Sequence, residues 1–296
     1  MKYKNNKFYL ISYMFLVIFG MFVLMSASIK NRLIFPVAKN ATQEYKYVTH
    51  ISSGGSTSMS RLLNILGEEF NNYYPEFIFE KFETGSGAAV NEVLNGGYDL
   101  GDISRNLSES EKSDILDENI IAFDGISVIV NKNNPVYNLS SENILDIFNK
   151  KITTWSDISG INANITLVGR EESSGTREGF EDAILNKTLV YDIEFPESGD
   201  VLSRVASDPN AIGYVSFSSV SEGVRSVSVD GIPCNLNSIS KGMYKFYRPF
   251  IQIYLKNKHN YVLNKWFEFI KSEIGQEIIK KEKFVGNVNF HDEASV

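Results

Sequence analysis

Residues Ile165 to Leu185 read ITLVGREESSGTREGFEDAIL. Ile165 to Val168 is a short apolar run that predicts a strand, and Arg177 to Leu185 predicts a helix. Between them, Gly169 to Glu181 gathers Arg170 and Arg177 with Glu171, Glu172, Glu178 and Glu181 around a Ser-Ser-Gly-Thr turn. A strand that ends in glycine and small hydroxyl residues and then opens a helix is the building unit of an α/β sheet. The first N–H groups of such a helix have no internal partner, and the helix dipole adds about half a positive charge there. Three chemistries compete for the stretch: a nucleophilic serine, an ordinary helix cap on a charged surface, and a seat for an anion.

The same unit occurs twice upstream. Tyr47 to Ile51 predicts a strand, followed by Ser-Gly-Gly-Ser-Thr-Ser and a helical pattern from Ser60 to Tyr74, where Leu62, Leu63, Leu66 and Phe70 share one face. Phe77 to Phe82 predicts a strand, and Thr84-Gly85-Ser86-Gly87 leads into a helix through Val90, Val93 and Leu94. Further strands are expected at Tyr98 to Ile103, Ile120 to Val130, Ala211 to Phe217, Val224 to Val229 and Phe250 to Tyr254. Helices are expected at Ser140 to Asn149 and, broken near Gly275, at Tyr261 to Lys283. The alternation predicts an α/β protein with mainly parallel sheets flanked by helices. The 296 residues suit two lobes, with a ligand between them at the carboxyl ends of the strands.

A single Ser/Thr/Gly turn before a helix is commonly no more than a cap, and the Arg–Glu pairs suit ordinary i,i+4 pairing. Three such turns at strand ends favour a shared role, and their glycines, hydroxyls and free N–H groups suit a tetrahedral oxyanion. A catalytic Ser174 fits less well. It lacks a Gly-x-Ser-x-Gly elbow, and His50, His259 and His291 stand in no telling context as a base. No phosphate-cradling Gly-x4-Gly-Lys-Ser/Thr occurs. With the single cysteine, Cys234, and scattered histidines, neither a metal site nor a cofactor is expected. A net charge of −7 without a basic run argues against nucleic acid. Trp155 and Cys234 read as packing residues.

The amino terminus carries Lys2, Lys4 and Lys7 before an uncharged apolar run, Phe8 to Ser28, followed by Lys30 and Arg32. The run is long enough to span a bilayer and begins like a signal peptide, with Ser26-Ala27-Ser28 as a tolerable cleavage site. Residues 1–45 are read as a membrane anchor or signal segment and tether. The remainder is then extracytoplasmic, either tethered or, after cleavage, secreted. No cysteine follows the run to carry a lipid.

With GGSTSM, TGSGAAV, DLGDISRNLSESE, KKITTWSDI, GREESSGTREGFE, DPNAIGYVS and YRPFIQIYL in this order, the chain from Tyr47 to Asn287 resembles the phosphate-binding proteins of ABC transporters. These are members of the type 2 periplasmic-binding-protein class. The resemblance implies a two-lobed fold, with 46–127 and 246–291 in lobe 1 and 128–245 in lobe 2, hinged near Phe123 to Ile129 and Tyr247 to Ile253. It implies phosphate contacts at Thr57, Ser58, Ser86, Ser104, Arg170, Ser174, Gly175 and Thr176, with Ser56, Asp102 and Arg105 as further candidates. Arg170 is then the principal buried cation. Where many relatives present an aspartate to the proton of bound phosphate, this chain has Ser104-Arg105, and strand alternation offers Asp102 in its stead. The expected partners are inorganic phosphate and the permease subunits of an importer, the expected state is a monomer, and no chemical step is implied. Sulfate, molybdate or a sensing role are the neighbouring readings, and a secreted serine hydrolase is the one from another class.

Overall fold

The computed structural model describes residues 49–159, 161–185, 189–287 and 290. The chain divides into two units, Met1–Lys46 and Tyr47–Val296, and the description below concerns the second. The apolar run Phe8 to Ser28 and His291 lie outside the described residues.

In chain order the elements are β1 (Thr49–Gly55), α1 (Thr57–Tyr73), β2 (Phe77–Glu83), α2 (Ser86–Leu94), β3 (Leu100–Ile103), β4 (Leu116–Asn131), β5 (Asn138–Leu139), α3 (Ser141–Phe148) and α4 (Ser156–Ser159). There follow β6 (Thr166–Arg170), α5 (Gly175–Ala183), β7 (Ile193–Phe195), α6 (Ser198–Ser207), β8 (Ala211–Ser216), β9 (Val224–Ser226), β10 (Ser228–Val229) and α7 (Leu236–Ser240). The chain continues with β11 (Tyr247–Leu255), α8 (Tyr261–Lys271), α9 (Glu273–Lys281) and β12 (Val285–Gly286).

One curled sheet organises the molecule in the order β2-β1-β3-β11-β4-β8-β6-β7. Its ends are parallel, as the sequence pattern requires: β1 pairs with β2 and β3, and β6 with β7 and β8. Its centre is antiparallel, because β4 and β11 run against each other and β4 against β8. The long β4 changes partners midway. Through Gly125 it pairs with β11, and from Ile126 onward it pairs with β8.

Separate cores lie on either side of that change. Leu62, Leu63, Leu66 and Phe70 of α1 bury their shared face with Phe79, Trp266 and Phe269. Each such leucine contributes about 1.5–3 kcal/mol by leaving water. Trp266 stacks on Phe79 at 4.1 Å, and Gly67 admits that ring because an added Cβ would stand 2.4 Å from it. On the other side, Phe148, Phe180, Trp155 and Tyr214 form the centre of a second core, where Trp155 also donates to Asn210 O at 2.9 Å.

One boundary and one helix differ instructively from expectation. The carboxyl-terminal helix breaks at Ser272, ahead of Gly275, because the Ser272 hydroxyl caps α9 by accepting the Gly275 N–H at 3.2 Å. The helix α6 is not foreshadowed in the sequence reading: only Val201 and Val205 of its residues are buried, too few to mark a periodicity.

Candidate functional site

The three strand–turn–helix units converge. The amino ends of α1, α2 and α5 surround a cavity of about 280 Å³ lined by Ser56, Thr57, Ser58, Ser86, Arg170, Ser174 and Gly175, with Glu83, Thr84, Gly85, Glu171, Ser173, Pro196 and Glu197 completing its wall. The backbone makes this convergence possible at two glycines. Gly55 has φ +140°, and a Cβ there would lie 2.2 Å from Asp102 O; this close approach lets Ser56 N donate to the same carbonyl at 2.8 Å. Gly85 has φ +81°, a conformation that favours glycine, and Thr84 N and Gly85 N both donate to Gly55 O, at 3.1 and 3.0 Å.

The caps differ among the three turns. Ser174 is a true N-cap, its hydroxyl accepting from Thr176 N at 3.2 Å and Arg177 N at 3.4 Å. Ser56 occupies the N-cap of α1 without capping it, and its hydroxyl instead donates to Ser104 Oγ at 3.0 Å. Gly85 precedes α2 with no side chain to offer.

Ser104 and Thr176 join the lining residues from behind. Ser104 Oγ lies 3.3 Å from Ser86 Oγ, and Thr176 Oγ1 lies 2.9 Å from Ser58 Oγ. Both are held by Arg248, whose Nη1 donates to Thr176 Oγ1 at 2.8 Å and to Ser104 Oγ at 3.1 Å. The remaining face of the Arg248 guanidinium meets Asp124. Arg248 thus ties β11 and β4 to β3 and to the first turn of α5.

Arg248 and Asp124 were missed by the sequence reading. Their signal is a lone charge in an otherwise apolar strand: Asp124 in IIAFDGISVIV and Arg248 in YRPFIQIYL. A charge placed there is buried, and burial requires a partner.

Arg170 is buried at the cavity wall. Its Nε donates to Phe195 O at 3.2 Å, Nη1 to Ser198 Oγ at 2.7 Å and Nη2 to Pro196 O at 2.5 Å. Burial lowers its pKa, and the positive charge of Arg248 lowers it further. Two guanidiniums close enough to repel each other through buried protein favour a negative charge beside them.

Two candidates stand apart from the hydroxyl cluster. The Asp102 carboxylate accepts from Ser53 Oγ at 2.8 and 2.7 Å and from Gln252 Nε2 at 2.9 Å, and Lys81 Nζ lies 3.4 Å away. Burial raises its pKa, with Lys81, Gln252 and Ser53 opposing that shift. Alternation along β3 places Asp102 in register with Ser104, yet its carboxylate is bound into this network beneath β1, which continues through Gln252 Oε1 to Trp266 Nε1 at 2.7 Å. Arg105 pairs with Glu111 at 2.7 Å through both Nη atoms and with Glu178 of α5 through Nε.

Arg177, expected on the helix surface, makes the i,i+4 pair with Glu181 at 2.8 Å. It is also half-enclosed, covers the Tyr191 ring at 4.8 Å and donates to Arg170 O at 2.9 Å, so it buttresses the cavity arginine from behind. The histidines lie in other company: His50 Nδ1 is 3.5 Å from Glu80, and His259 rests against Tyr254 and Phe267. Among the described residues no cluster of His, Cys, Asp or Glu could hold a metal ion.

Comparison with known proteins gives a consistent result. The family model described as PBP superfamily domain matches residues 38–273. A substrate-binding protein assigned to phosphate ABC transport in Clostridium perfringens, solved with bound phosphate, is 36% identical with a TM-score of 0.77, over 80% of this chain and 99% of that one. An ABC-type phosphate transport receptor from Vibrio cholerae is 30% identical with a TM-score of 0.70, over 79% and 99%. The phosphate-binding protein PstS of Bacillus subtilis is 26% identical over 251 residues, 83% of each chain. On the fold, the convergent turns and these matches, the chain belongs to the PBP superfamily, in the family of the phosphate-binding proteins of phosphate ABC transporters.

Proposed function

We propose that the chain captures inorganic phosphate outside the cytoplasm and delivers it to the permease subunits of an ABC importer, without a chemical step. The observation that carries this reading is the convergence at Arg248: hydroxyls from the turns on both sides of the cavity meet one buried guanidinium, with a second, Arg170, in the cavity wall. Hydroxyl donors, helix amino ends and paired arginines in a buried setting suit a tetrahedral oxyanion.

In this reading the contacts come from Thr57, Ser58, Ser86, Arg170, Ser174 and Gly175, with Ser56 beside them and Ser104 and Thr176 in support. Residues 46–127 with 246–291 form one lobe and 128–245 the other. Closure turns on the point where β4 exchanges β11 for β8, between Gly125 and Ile126. Ser174 serves as cap and donor; its hydroxyl already accepts two backbone N–H groups. The protein acts as a monomer, tethered by residues 8–28 or released if they are cleaved. Calorimetric titration of the full chain with inorganic phosphate tests the reading. One tight site that Arg170→Ala weakens is the expected result; the absence of both heat and a thermal shift with phosphate would sink the reading.

A further inference from the structure

Arg105 and Glu178 form an ion pair close to the anion cavity, yet neither side chain lines it. Arg105 directly follows Ser104 at the end of β3, and its side chain is only 6% exposed. Residues of its own loop aim the guanidinium. Both oxygens of Glu111 accept from the two Nη atoms at 2.7 Å, and Nη1 also donates to Asn106 O at 2.9 Å. Glu111 is fixed in turn by Ser108, whose N–H and hydroxyl donate to it at 3.0 and 2.9 Å. The remaining nitrogen, Nε, meets Glu178 of α5. Desolvation acts to lower the Arg105 pKa, but Glu111, Glu178 and Asp182 outweigh it and raise the value.

Gly175 and Glu178 stand three residues apart on α5 and so share one face of that helix. This face meets the end of β3 twice. A Cβ at Gly175 would lie 2.3 Å from Ser104 Oγ, and Glu178 holds the adjacent Arg105. Thr176 joins the same parts through its hydroxyl, at 2.9 Å from Ser58 Oγ and 2.8 Å from Arg248 Nη1; Arg105 and Glu178 add full opposite charges. In the two-lobe reading Arg105 belongs to one lobe and Glu178 to the other. Their pair is then made only when the cleft is shut, whereas Glu111 keeps Arg105 aimed when it opens. We infer that Arg105, preset by Glu111, is a positioning residue that latches α5 through Glu178 and thereby sets how long the closed cleft keeps its anion. The inference rests on the two-lobe binding reading and adds a determinant outside the anion seat. A contact made only in the closed form stabilises that form without touching the ligand, so it slows release and leaves the encounter unchanged.

The test uses the full chain and inorganic phosphate. Calorimetry gives the affinity, and a rapid-mixing chase of radiolabelled phosphate with excess unlabelled phosphate gives the release rate. In Glu178→Gln, release is expected to quicken roughly three- to tenfold, with affinity falling by the same factor and the association rate unchanged. Glu172→Gln removes an equal charge from the exposed turn before α5 and should leave both rates within about twofold of wild type. A general charge effect would instead speed association in both variants. Arg105→Gln should quicken release as Glu178→Gln does, and the double variant should do so no more than the faster single one. Release within about twofold of wild type in folded Glu178→Gln overturns the inference, as does a change confined to association. A merely structural role would lower the unfolding temperature of the phosphate-free protein and leave release unmoved, which also overturns it. If Arg105→Gln does not fold, Glu178→Gln decides alone, since its side chain is 32% exposed. Absence of heat with phosphate in the wild type would instead overturn the binding reading itself.

Discussion

Arg248 places Nε and Nη2 at 3.2 and 2.9 Å from the same carboxylate oxygen of Asp124, and both side chains are almost wholly removed from water. The second Asp124 oxygen accepts from Ser216 Oγ at 2.8 Å. Burial raises the Asp124 pKa, and the arginine and the serine hydroxyl oppose that shift. Asp124→Ala leaves a guanidinium buried without its counter-charge and is expected to cost about 3–5 kcal/mol. Urea unfolding followed by circular dichroism measures it, and a loss below about 1 kcal/mol would show that the pair does not hold the strands together.

Arg170 spends three N–H groups on Phe195 O, Pro196 O and Ser198 Oγ; a guanidinium has five. Those bonds orient the others toward the cavity. Arg170→Ala is expected to weaken phosphate binding by about 1.5–3 kcal/mol, roughly 10- to 100-fold, by calorimetry. Arg170→Lys should recover only part of this, because a single ammonium cannot reproduce the fork.

Gly175 sits where the hydroxyls meet. A Cβ there would stand 2.3 Å from Ser104 Oγ and 2.7 Å from Ser86 Oγ. Gly175→Ala is therefore expected to push both hydroxyls out of line and reduce phosphate affinity at least about tenfold, at an overpacking cost of about 1–3 kcal/mol. Titration and thermal unfolding of the same sample separate the two effects. Unchanged affinity would place the anion away from α5.

Glu111 is the clearest acid-sensitive contact. Desolvation acts to raise its pKa, but the Arg105 bond and the Ser108 N–H and hydroxyl outweigh it and hold the carboxyl at about 2, against an ordinary 4.5. The folded pKa lies below the unfolded one, so the contribution is complete above 4.5 and fades as the pH falls toward 2. Wild type should melt above Glu111→Gln near neutrality, and the gap should narrow between about pH 5 and pH 3. A gap that persists at the acid end would assign the difference to packing.

The alternating strands and helices were legible because burial imposes periodicity: the apolar face of Leu62, Leu63, Leu66 and Phe70 marks α1, and the aromatic run of Phe77 to Phe82 marks β2. The three turns were legible because glycines and small hydroxyls at strand ends are local features. Gly55 and Gly85 proved to stand where φ is positive. Asp102 was placed by strand alternation near Ser104, but alternation fixes a side and not a partner. Lys81, Ser53 and Gln252, from three other strands, claim its carboxylate. Arg105 is likewise claimed by Glu111 and Glu178.

The sequence by itself determined the α/β alternation, the turn chemistry and the arginine at the end of β6, all set by residues close together in the chain. Only the tertiary structure decided which charges meet. Arg248 lies far along the chain from both Asp124 and Ser104, and it reaches them only because β11 runs antiparallel between β3 and β4. In a buried site a charge is governed by whichever groups can satisfy it, and those are chosen by strand order, which local sequence does not encode.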